Sequence, residues 1–223
     1  MINIKNLSFS YDNKSPELLK DINLSIDKGI YLSIVGENGS CKTTLIKLIL
    51  GILKPNKGSI EINSELIGYV PQRLDSFNSQ FPITVKEVLN CHKKTLKDKN
   101  IDIDSILKQV NMEDFKDRLL GMLSGGQQQR ILISRALMGN PDIIILDEPS
   151  SGVDEVNQKE IYRILKSLNR EKNKTIISIE HNIDVALANS THILKVNKGS
   201  MNLYTVEDYK TLRNQPENLD NAM

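Results

Sequence analysis

Hydrophobic residues along the chain follow two spacings, one typical of strands and one typical of helices. Near the amino terminus apolar and polar residues alternate, which predicts short strands with one buried face. Two runs, at 143–146 and 175–179, are apolar throughout and are typical of strands buried on both faces. Strands are predicted at 2–4, 7–9, 24–26, 31–35, 59–62, 66–70, 143–146, 175–179, 193–196 and 201–204.

Apolar residues spaced by three and four positions predict the helices. These are expected at 42–53, 85–96, 103–110, 114–120, 127–138, 156–171 and 183–189, and residues 214–223 are expected to form a frayed tail. Strands alternate with helices on both sides of a purely helical stretch that begins near residue 75. The pattern therefore predicts an α/β protein with a parallel sheet and an inserted helical subdomain.

Composition narrows the class of protein without indicating its activity. The 223 residues include 29 basic and 28 acidic side chains, for a net charge of +1, which argues against a chain held to nucleic acid or anionic lipid by bulk charge. No stretch approaches the roughly 20 apolar residues that span a bilayer, and the amino terminus lacks a signal-peptide layout. Two cysteines favour a reducing cytosol. We expect a soluble, cytosolic, globular protein.

The segment from residue 36 to residue 44 has the features of a phosphate-binding loop. It lies between a predicted strand and a predicted helix, where backbone amides can surround an anion at a helix N-terminus. Lys42 suits the β- and γ-phosphates, and the Thr43 hydroxyl suits Mg²⁺. The alternative, an ordinary glycine-containing turn, leaves the lysine and both threonines unexplained. The predicted nucleotide contacts here are Gly36, Asn38, Gly39, Ser40, Cys41, Lys42, Thr43 and Thr44.

Cys41 breaks the phosphate-loop pattern, which has glycine immediately before the lysine. Glycine is used where backbone approaches a ligand closely, because a β-carbon intrudes. We therefore hypothesise that Cys41 weakens nucleotide binding. The alternatives are a loop that tolerates a small side chain, or a substitution introduced by design or by sequencing error.

An apolar strand ending in two carboxylates forms the second motif. Asp147 and Glu148 follow the run 143–146, and such strands deliver their last side chains to the ligand crevice of an α/β sheet. Asp147 is predicted to hold Mg²⁺, directly or through water, and Glu148 to orient or deprotonate the water that attacks the γ-phosphorus. The alternative role is plain helix-start charge.

The string from Leu123 to Arg130, which reads LSGGQQQR, is the most specific in the chain. Two glycines opening a helix expose amides next to a serine hydroxyl and form a second anion site. With the phosphate loop and the Asp-Glu strand, in this order, the string resembles the ATP-binding subunits of ABC transporters over about residues 1–204. Ser124, Gly125, Gly126 and Gln127 are therefore expected to contact the nucleotide of a partner subunit.

The resemblance implies a fold and a division of the chain. It implies a single P-loop NTPase domain with a mostly parallel sheet, an N-terminal antiparallel β-subdomain and an inserted α-helical subdomain. The core and β-subdomain are expected over about 1–74 and 125–213, and the helical subdomain over about 75–124.

Four further residues receive roles from the resemblance alone. Tyr11 matches the aromatic that stacks on adenine. Gln72 matches the glutamine that links Mg²⁺ and the attacking water to the helical subdomain. Asp154, in the segment 151–154, matches a loop that crosses the dimer interface, and His181 matches the switch histidine at the γ-phosphate. The residues beside His181, Glu and Asn, depart from the commoner Ser or Thr and Asp.

The resemblance also implies partners. ATP and Mg²⁺ are expected between two such subunits, forming a homodimer on the inner face of the cell membrane that drives a separate permease and, indirectly, an extracytoplasmic metal-binding protein. The segments 68–72, 77–78 and 81–85 look like the subfamily serving zinc and manganese importers. They lie where members of the family contact the permease, so their sequences could depend on the permease partner and not on the transported metal. The chain itself is not expected to bind the transported ion.

Three other functions stay open at this point. Cys41 is compatible with a nucleotide-binding module that is impaired in hydrolysis. The transported solute could differ from a metal ion. A soluble ABC protein acting on DNA or ribosomes is disfavoured. Such proteins usually carry paired ATPase domains, long coiled coils or strong charge asymmetry, and this sequence shows none of these features.

Overall fold

The computed structural model describes residues 1–12, 17–72, 81–98, 100–197 and 199–214. Contacts divide the chain into two compact units. The first contains residues 1–64 and the described residues from 175 onward, and the second contains the described residues of 65–174. The subdomain boundaries predicted from the sequence stay a prediction.

The elements run through the units in chain order. The first unit begins with β1 (Ile2–Phe9), β2 (Leu19–Ile26), β3 (Tyr31–Val35), α1 (Lys42–Ile49) and β4 (Lys57–Ile62). The second contains β5 (Ile67–Val70), α2 (Val85–Leu96), α3 (Ile103–Gln109), α4 (Gly125–Leu137), β6 (Ile143–Asp147) and α5 (Glu155–Arg170). The first unit resumes with β7 (Thr175–Ile179), α6 (Ile183–Asn189), β8 (His192–Asn197), β9 (Ser200–Thr205) and α7 (Val206–Arg213).

Two sheets form the first unit. β1 pairs antiparallel with β2 and with β4, and the two short strands predicted at 2–4 and 7–9 are one strand whose register shifts between Ile4 and Leu7. In the other sheet β3 lies parallel between β7 and β8, and β9 pairs antiparallel with β8. Every residue of β3 and β7 is buried, as expected for apolar strands covered on both faces.

The second unit combines a parallel strand pair with helices. β5 and β6 run parallel, and every residue of β6 is buried. α4 lies close to β5, because a Cβ on Gly68 would overlap the backbone of Ala136. The predicted class, α/β with a mostly parallel sheet and an N-terminal antiparallel β-subdomain, is confirmed.

The helix predicted at 114–120 is wrong. The chain there forms two 3₁₀ turns, Glu113–Phe115 and Leu120–Met122. Between them, the carbonyls of Arg118 and Lys116 accept from the amides of Val85 and Lys86 at 3.0 and 2.9 Å. These carbonyls satisfy the unpaired amides at the start of α2, so they are not engaged in a helix of their own.

One helix end and one additional helix also differ from the prediction. α1 ends at Ile49 instead of residue 53, since Gly51 has φ 70° and leaves the helical conformation. α7 was not predicted. It is short and mostly polar, so periodicity did not reveal it, but Thr205 caps it by accepting from the amide of Asp208 at 3.1 Å.

None of the helices in the described parts of the chain is both long and apolar enough to span a bilayer.

Candidate functional site

The phosphate loop occupies the turn from β3 into α1. Lys42 opens α1, is 6% exposed, and donates from Nζ to the carbonyls of Gly36 and Glu37 at 2.8 Å each. Residues 37–39 are exposed, as is Thr43. The loop therefore curves around the lysine ammonium, with its tip and the Thr43 hydroxyl at the surface.

Two glycines of this loop are required for different structural reasons. A Cβ on Gly36 would overlap the Val196 carbonyl of β8, so the loop leaves β3 only without a side chain there. Gly39 has φ 80° and open space around it, so its need is conformational. Both were predicted as contacts of the nucleotide, and each is also required by the turn itself.

Cys41 adopts the backbone conformation that glycine adopts most readily. It is the N-cap of α1 with φ 74° and ψ 18°, in the left-handed region, and its side chain makes no capping hydrogen bond. Its Sγ lies 3.7 Å from the carbonyl oxygens of Leu18 and Gly39. Burial raises the pKa of the thiol. Cys41 therefore differs from glycine in two ways. Its backbone is strained in this conformation, and its side chain takes space that a ligand could use.

Tyr11 lies beside the first turn of α1. Its hydroxyl is 3.3 Å from Oγ1 of Thr44, and its ring meets Phe9 edge to face at 5.1 Å. The side chain of Tyr11 is nevertheless 59% exposed. The structure thus brings this predicted adenine contact to the phosphate loop and leaves much of its ring open to solvent.

His181 follows β7 and is exposed. Together with Gly36, Glu37 and Asn38 it lines one cavity of about 690 Å³. The predicted switch histidine therefore lines the same cavity as the beginning of the phosphate loop. The residue before it, Glu180, is only 4% exposed and interacts with the buried phenol of Tyr31.

The two carboxylates predicted at the end of β6 have different environments in the second unit. Asp147 is 5% exposed. The pKa of the nearby Tyr69 phenol is raised by the burial of that phenol and by the charge of Asp147. Glu148 is half-buried, with φ 53°. Non-glycine residues held at positive φ cluster at functional sites. The Gln72 side-chain amide donates to Oε2 of Glu148, so these two predicted catalytic residues are in contact.

Ser124 and Gln127 form a capping box at the start of α4. The Gln127 amide donates to the Ser124 hydroxyl at 3.3 Å, and the Ser124 amide donates to the Gln127 side chain at 2.9 Å. Ser124 and Gly125 are exposed. A Cβ on Gly126 would overlap the side chain of Asn157. Gly126 is thus needed for packing, and the exposed end of α4 carries the anion-binding character of a helix N-terminus.

Asp154 caps α5 and is exposed. It accepts from the backbone amide of Asn157 at 3.1 Å and from its side chain at 2.7 Å, and these bonds lower the pKa of the carboxyl group. Asp154 therefore has a local capping role, and the interface role stays a prediction.

Sequence reasoning missed the side chains that hold the loop 150–154. The Gln158 amide donates to the carbonyls of Ser150 and Val153 at 3.3 and 2.7 Å. The Tyr162 hydroxyl lies 2.9 Å from Oγ of Ser150. The available signal was the run of polar residues in the first turns of α5, before its buried apolar positions. These contacts fix the loop between the Asp-Glu motif and Asp154.

Each unit holds a share of the predicted site. The first contains Tyr11, the phosphate loop and His181, and the second contains Gln72, the Asp-Glu pair, the start of α4 and Asp154. Within the described residues there is no cluster of three or more His, Cys, Asp and Glu side chains suited to a metal ion. The other two histidines have hydroxyl neighbours: His92 Nδ1 lies 3.3 Å from Oγ1 of Thr95, and His192 Nδ1 lies 2.9 Å from Oγ1 of Thr191.

Comparisons with known proteins agree with these motifs. The chain is 42% identical over 207 residues to the "Probable metal transport system ATP-binding protein" of Treponema pallidum (strain Nichols), covering 92% of this chain and 87% of the relative. It is 41% identical over 216 residues to the zinc uptake system ATP-binding protein ZurA of Listeria monocytogenes, covering 89% and 83%.

A solved structure shares the fold. It is a dimeric ATP-binding cassette in a post-hydrolysis state with ADP and Pi, 28% identical, with a TM-score of 0.75 over 92% of this chain and 99% of the other. The family model described as "ABC transporter" matches residues 19–151, more than half of the chain. With its phosphate loop, its Asp-Glu strand and its capped Ser-Gly-Gly-Gln helix, the chain belongs to the ABC transporter family as an ATP-binding, ATP-hydrolysing subunit.

Proposed function

We propose that the chain binds Mg²⁺-ATP between two copies of itself and hydrolyses it to drive a membrane permease that imports a metal ion of the zinc or manganese type. The observation that carries the nucleotide role is the geometry of Lys42. Its buried ammonium is held by two loop carbonyls, and charge-assisted contacts to phosphate oxygens would replace them.

The proposal of a dimer rests on a second anion site in the same chain. The exposed N-terminus of α4, with Ser124 and Gly125 at its surface, suits phosphate as the loop does. One triphosphate does not need both, so Ser124, Gly125, Gly126 and Gln127 are assigned to the partner's nucleotide. Asp154 is assigned to the interface, and Tyr11 to the adenine ring.

The hydrolytic step is assigned to the Glu148 carboxylate. It accepts from the Gln72 side-chain amide, and this contact restricts the orientation of the carboxylate that would face the attacking water. Positioning and proton transfer of this kind contribute about 10²–10⁴-fold in rate. His181 is assigned to the γ-phosphate, because it lines the same cavity as Gly36, Glu37 and Asn38.

The residues present fit Mg²⁺, which prefers oxygen ligands. The Thr43 hydroxyl, the Asp147 carboxylate and the Gln72 side-chain oxygen are assigned to it. When bound, the ion neutralises charge that develops on the phosphate oxygens. Asp147 is buried at the end of β6, so the desolvation of its charge is best compensated by a cation.

The assignment to metal import rests on the relatives, which are named for metal transport and zinc uptake. A permease partner and, through it, an extracytoplasmic metal-binding protein follow from that assignment, as does a position on the inner face of the cell membrane. Deletion of this chain's gene should lower the cellular zinc or manganese content, and zinc or manganese in the medium should restore growth. An unchanged metal content would favour another transported solute.

Phosphate release with Mg²⁺-ATP tests the enzyme. We expect turnover by the wild-type chain and a loss of about 100-fold or more in Glu148→Gln, with binding of a fluorescent ATP analogue retained. Lys166→Gln, near the C-terminal end of α5, is the control and should turn over normally. If the wild type does not hydrolyse ATP under conditions that dimerise the chain and Cys41→Gly does, the alternative of a module impaired by Cys41 is correct. If neither hydrolyses ATP, the proposed hydrolytic role is refuted.

A further inference from the structure

The cavity that His181 shares with the phosphate loop extends beyond the residues assigned to nucleotide. Its volume of about 690 Å³ lies within the range of roughly 300–1,000 Å³ typical of small-molecule sites. Part of its wall is formed by Tyr204 of β9 and by Tyr209 and Leu212 of α7. None of these three residues has a role in the proposed hydrolysis of ATP.

The aromatic wall, Tyr204 and Tyr209, is held by packing. The Tyr204 and Tyr209 rings meet edge to face, with centroids 5.7 Å apart. Tyr209 also packs against the buried cluster of Val35, Ala186 and Ile193. Burial is the main cause that raises the pKa of the Tyr209 phenol, so it stays neutral at physiological pH. Such a wall is suited to the face or edge of an aromatic ring.

The charges around the cavity favour an anion. Arg213 lies in the wall, and its guanidinium is paired with Asp184 at 2.6 Å. Lys195 of β8 also lines the cavity, and no acid in the described parts of the chain forms an ion pair with it. Glu37, the one acid among the lining residues, belongs to the exposed tip of the loop.

We propose that this cavity binds a small aromatic anion, with the ring against Tyr204, Tyr209 and Leu212 and the anionic group at Lys195. Residues 36–38 and His181 line the same cavity, so a bound molecule lies near the segment whose Gly36 and Glu37 carbonyls hold the Lys42 ammonium. Occupancy therefore changes nucleotide affinity, and nucleotide changes the affinity for the anion by the same factor. This coupling, unlike the site itself, rests on the proposed function.

A matched pair of fluorescent probes tests the site on the full chain. 8-Anilinonaphthalene-1-sulfonate is an aromatic anion, and N-phenyl-1-naphthylamine is the same ring system without the sulfonate. We expect saturable binding of one sulfonate probe per chain. We also expect it to bind about tenfold more tightly than the neutral probe, the difference expected of one charge-assisted contact.

Two variants locate the probe. Leu212→Trp fills the cavity and should weaken both probes by about tenfold or more. Lys195→Gln should weaken the sulfonate probe alone and remove its advantage over the neutral one. The controls are Leu203→Trp, at the exposed position beside Tyr204 on β9, and Lys20→Gln, an exposed lysine of β2. Neither control residue lines the cavity, and both variants should bind like the wild type.

Several results would overturn the site. These are equal binding of the two probes, several weak sites per chain, or unchanged binding in both Leu212→Trp and Lys195→Gln. Binding that Leu203→Trp weakens as much as Leu212→Trp would also overturn it. Full displacement of the sulfonate probe by a fluorescent ATP analogue, with Leu212→Trp behaving as the wild type, would place the probe in the nucleotide site instead.

The coupling has its own measurement. Saturating sulfonate probe should change the affinity for the ATP analogue in the wild type and leave it unchanged in Leu212→Trp. An unchanged affinity in the wild type would refute the coupling. A chain that binds the sulfonate probe but no ATP analogue would refute the proposed function and leave the site standing.

Discussion

Replacing Cys41 by glycine isolates the strain stored in the phosphate loop. Cys41 has φ 74° and no side-chain capping bond. The left-handed conformation costs a non-glycine residue about 1–2 kcal/mol, whereas glycine loses roughly 0.5–1 kcal/mol more than alanine through the entropy of the unfolded chain. The difference predicts that Cys41→Gly stabilises the fold by about 0.5–1 kcal/mol. In a chain of this length that corresponds to a rise of about 1–4 °C in Tm.

The measurement is thermal and urea unfolding of three variants beside the wild type. Cys41→Ala removes the thiol but keeps the Cβ and its strain, so it should not be stabilised. Cys91→Gly makes the same substitution inside α2, at an exposed position with ordinary helical geometry, and should destabilise by about 1 kcal/mol. If Cys41→Gly is no more stable than Cys41→Ala, the strain argument fails.

The same variant tests the effect of the Cβ on nucleotide. We expect Cys41→Gly to bind a fluorescent ATP analogue at least about threefold more tightly, which corresponds to roughly 0.7 kcal/mol. Cys41→Ala should bind like the wild type, because the Cβ is retained. An affinity unchanged in Cys41→Gly would mean that the loop accommodates the side chain, and the hypothesis of weakened binding would be wrong.

Substitutions at three further positions have expected outcomes. Burial, followed by the charge of Glu180, raises the pKa of Tyr31, so its neutral phenol stabilises the fold below the ordinary pKa of about 10 and this contribution is lost as the pH rises above it. Between pH 8 and about 11 the Tm of Tyr31→Phe should therefore fall less than the Tm of the wild type. Parallel curves of Tm against pH for the two proteins would contradict this. Gly126→Ala places a Cβ against Asn157 and should destabilise by about 1–3 kcal/mol in urea unfolding; a neutral result would show that α5 shifts to accommodate it. Ser124→Ala removes the N-cap of α4 and should cost about 1 kcal/mol, with Ser124→Gly costing only a few tenths; equal costs would argue against capping.

Prediction from the sequence succeeded where a motif and its structure are local. β3, the phosphate loop and α1 are contiguous, and the order of strand, glycine-containing turn and helix indicates how the loop amides and Lys42 are presented. β6 with Asp147 and Glu148 is similar, since an unbroken apolar run predicts its burial. These elements need few distant contacts to be recognised.

The failures lie where distant backbone decides the local conformation. Residues 114–120 have helical spacing, yet the amides of α2 take the carbonyls of Lys116 and Arg118. The helix propensity of a seven-residue segment is small beside several hydrogen bonds that complete another helix. The loop 150–154 is likewise held by Gln158 and Tyr162 of α5, which no motif identifies.

The sequence by itself determined the family and the α/β class and indicated the residues proposed to carry the chemistry, because those properties depend on short ordered motifs and on apolar periodicity. Tertiary structure alone decided that Gln72 contacts Glu148, that Tyr11 reaches Thr44, and that Cys41 adopts a left-handed conformation. It also decided that His181 and the phosphate loop share a cavity with two tyrosines from the end of the chain. The physical reason is that a pattern of residue types specifies which faces are buried, whereas side-chain contacts between distant segments depend on how those faces pack.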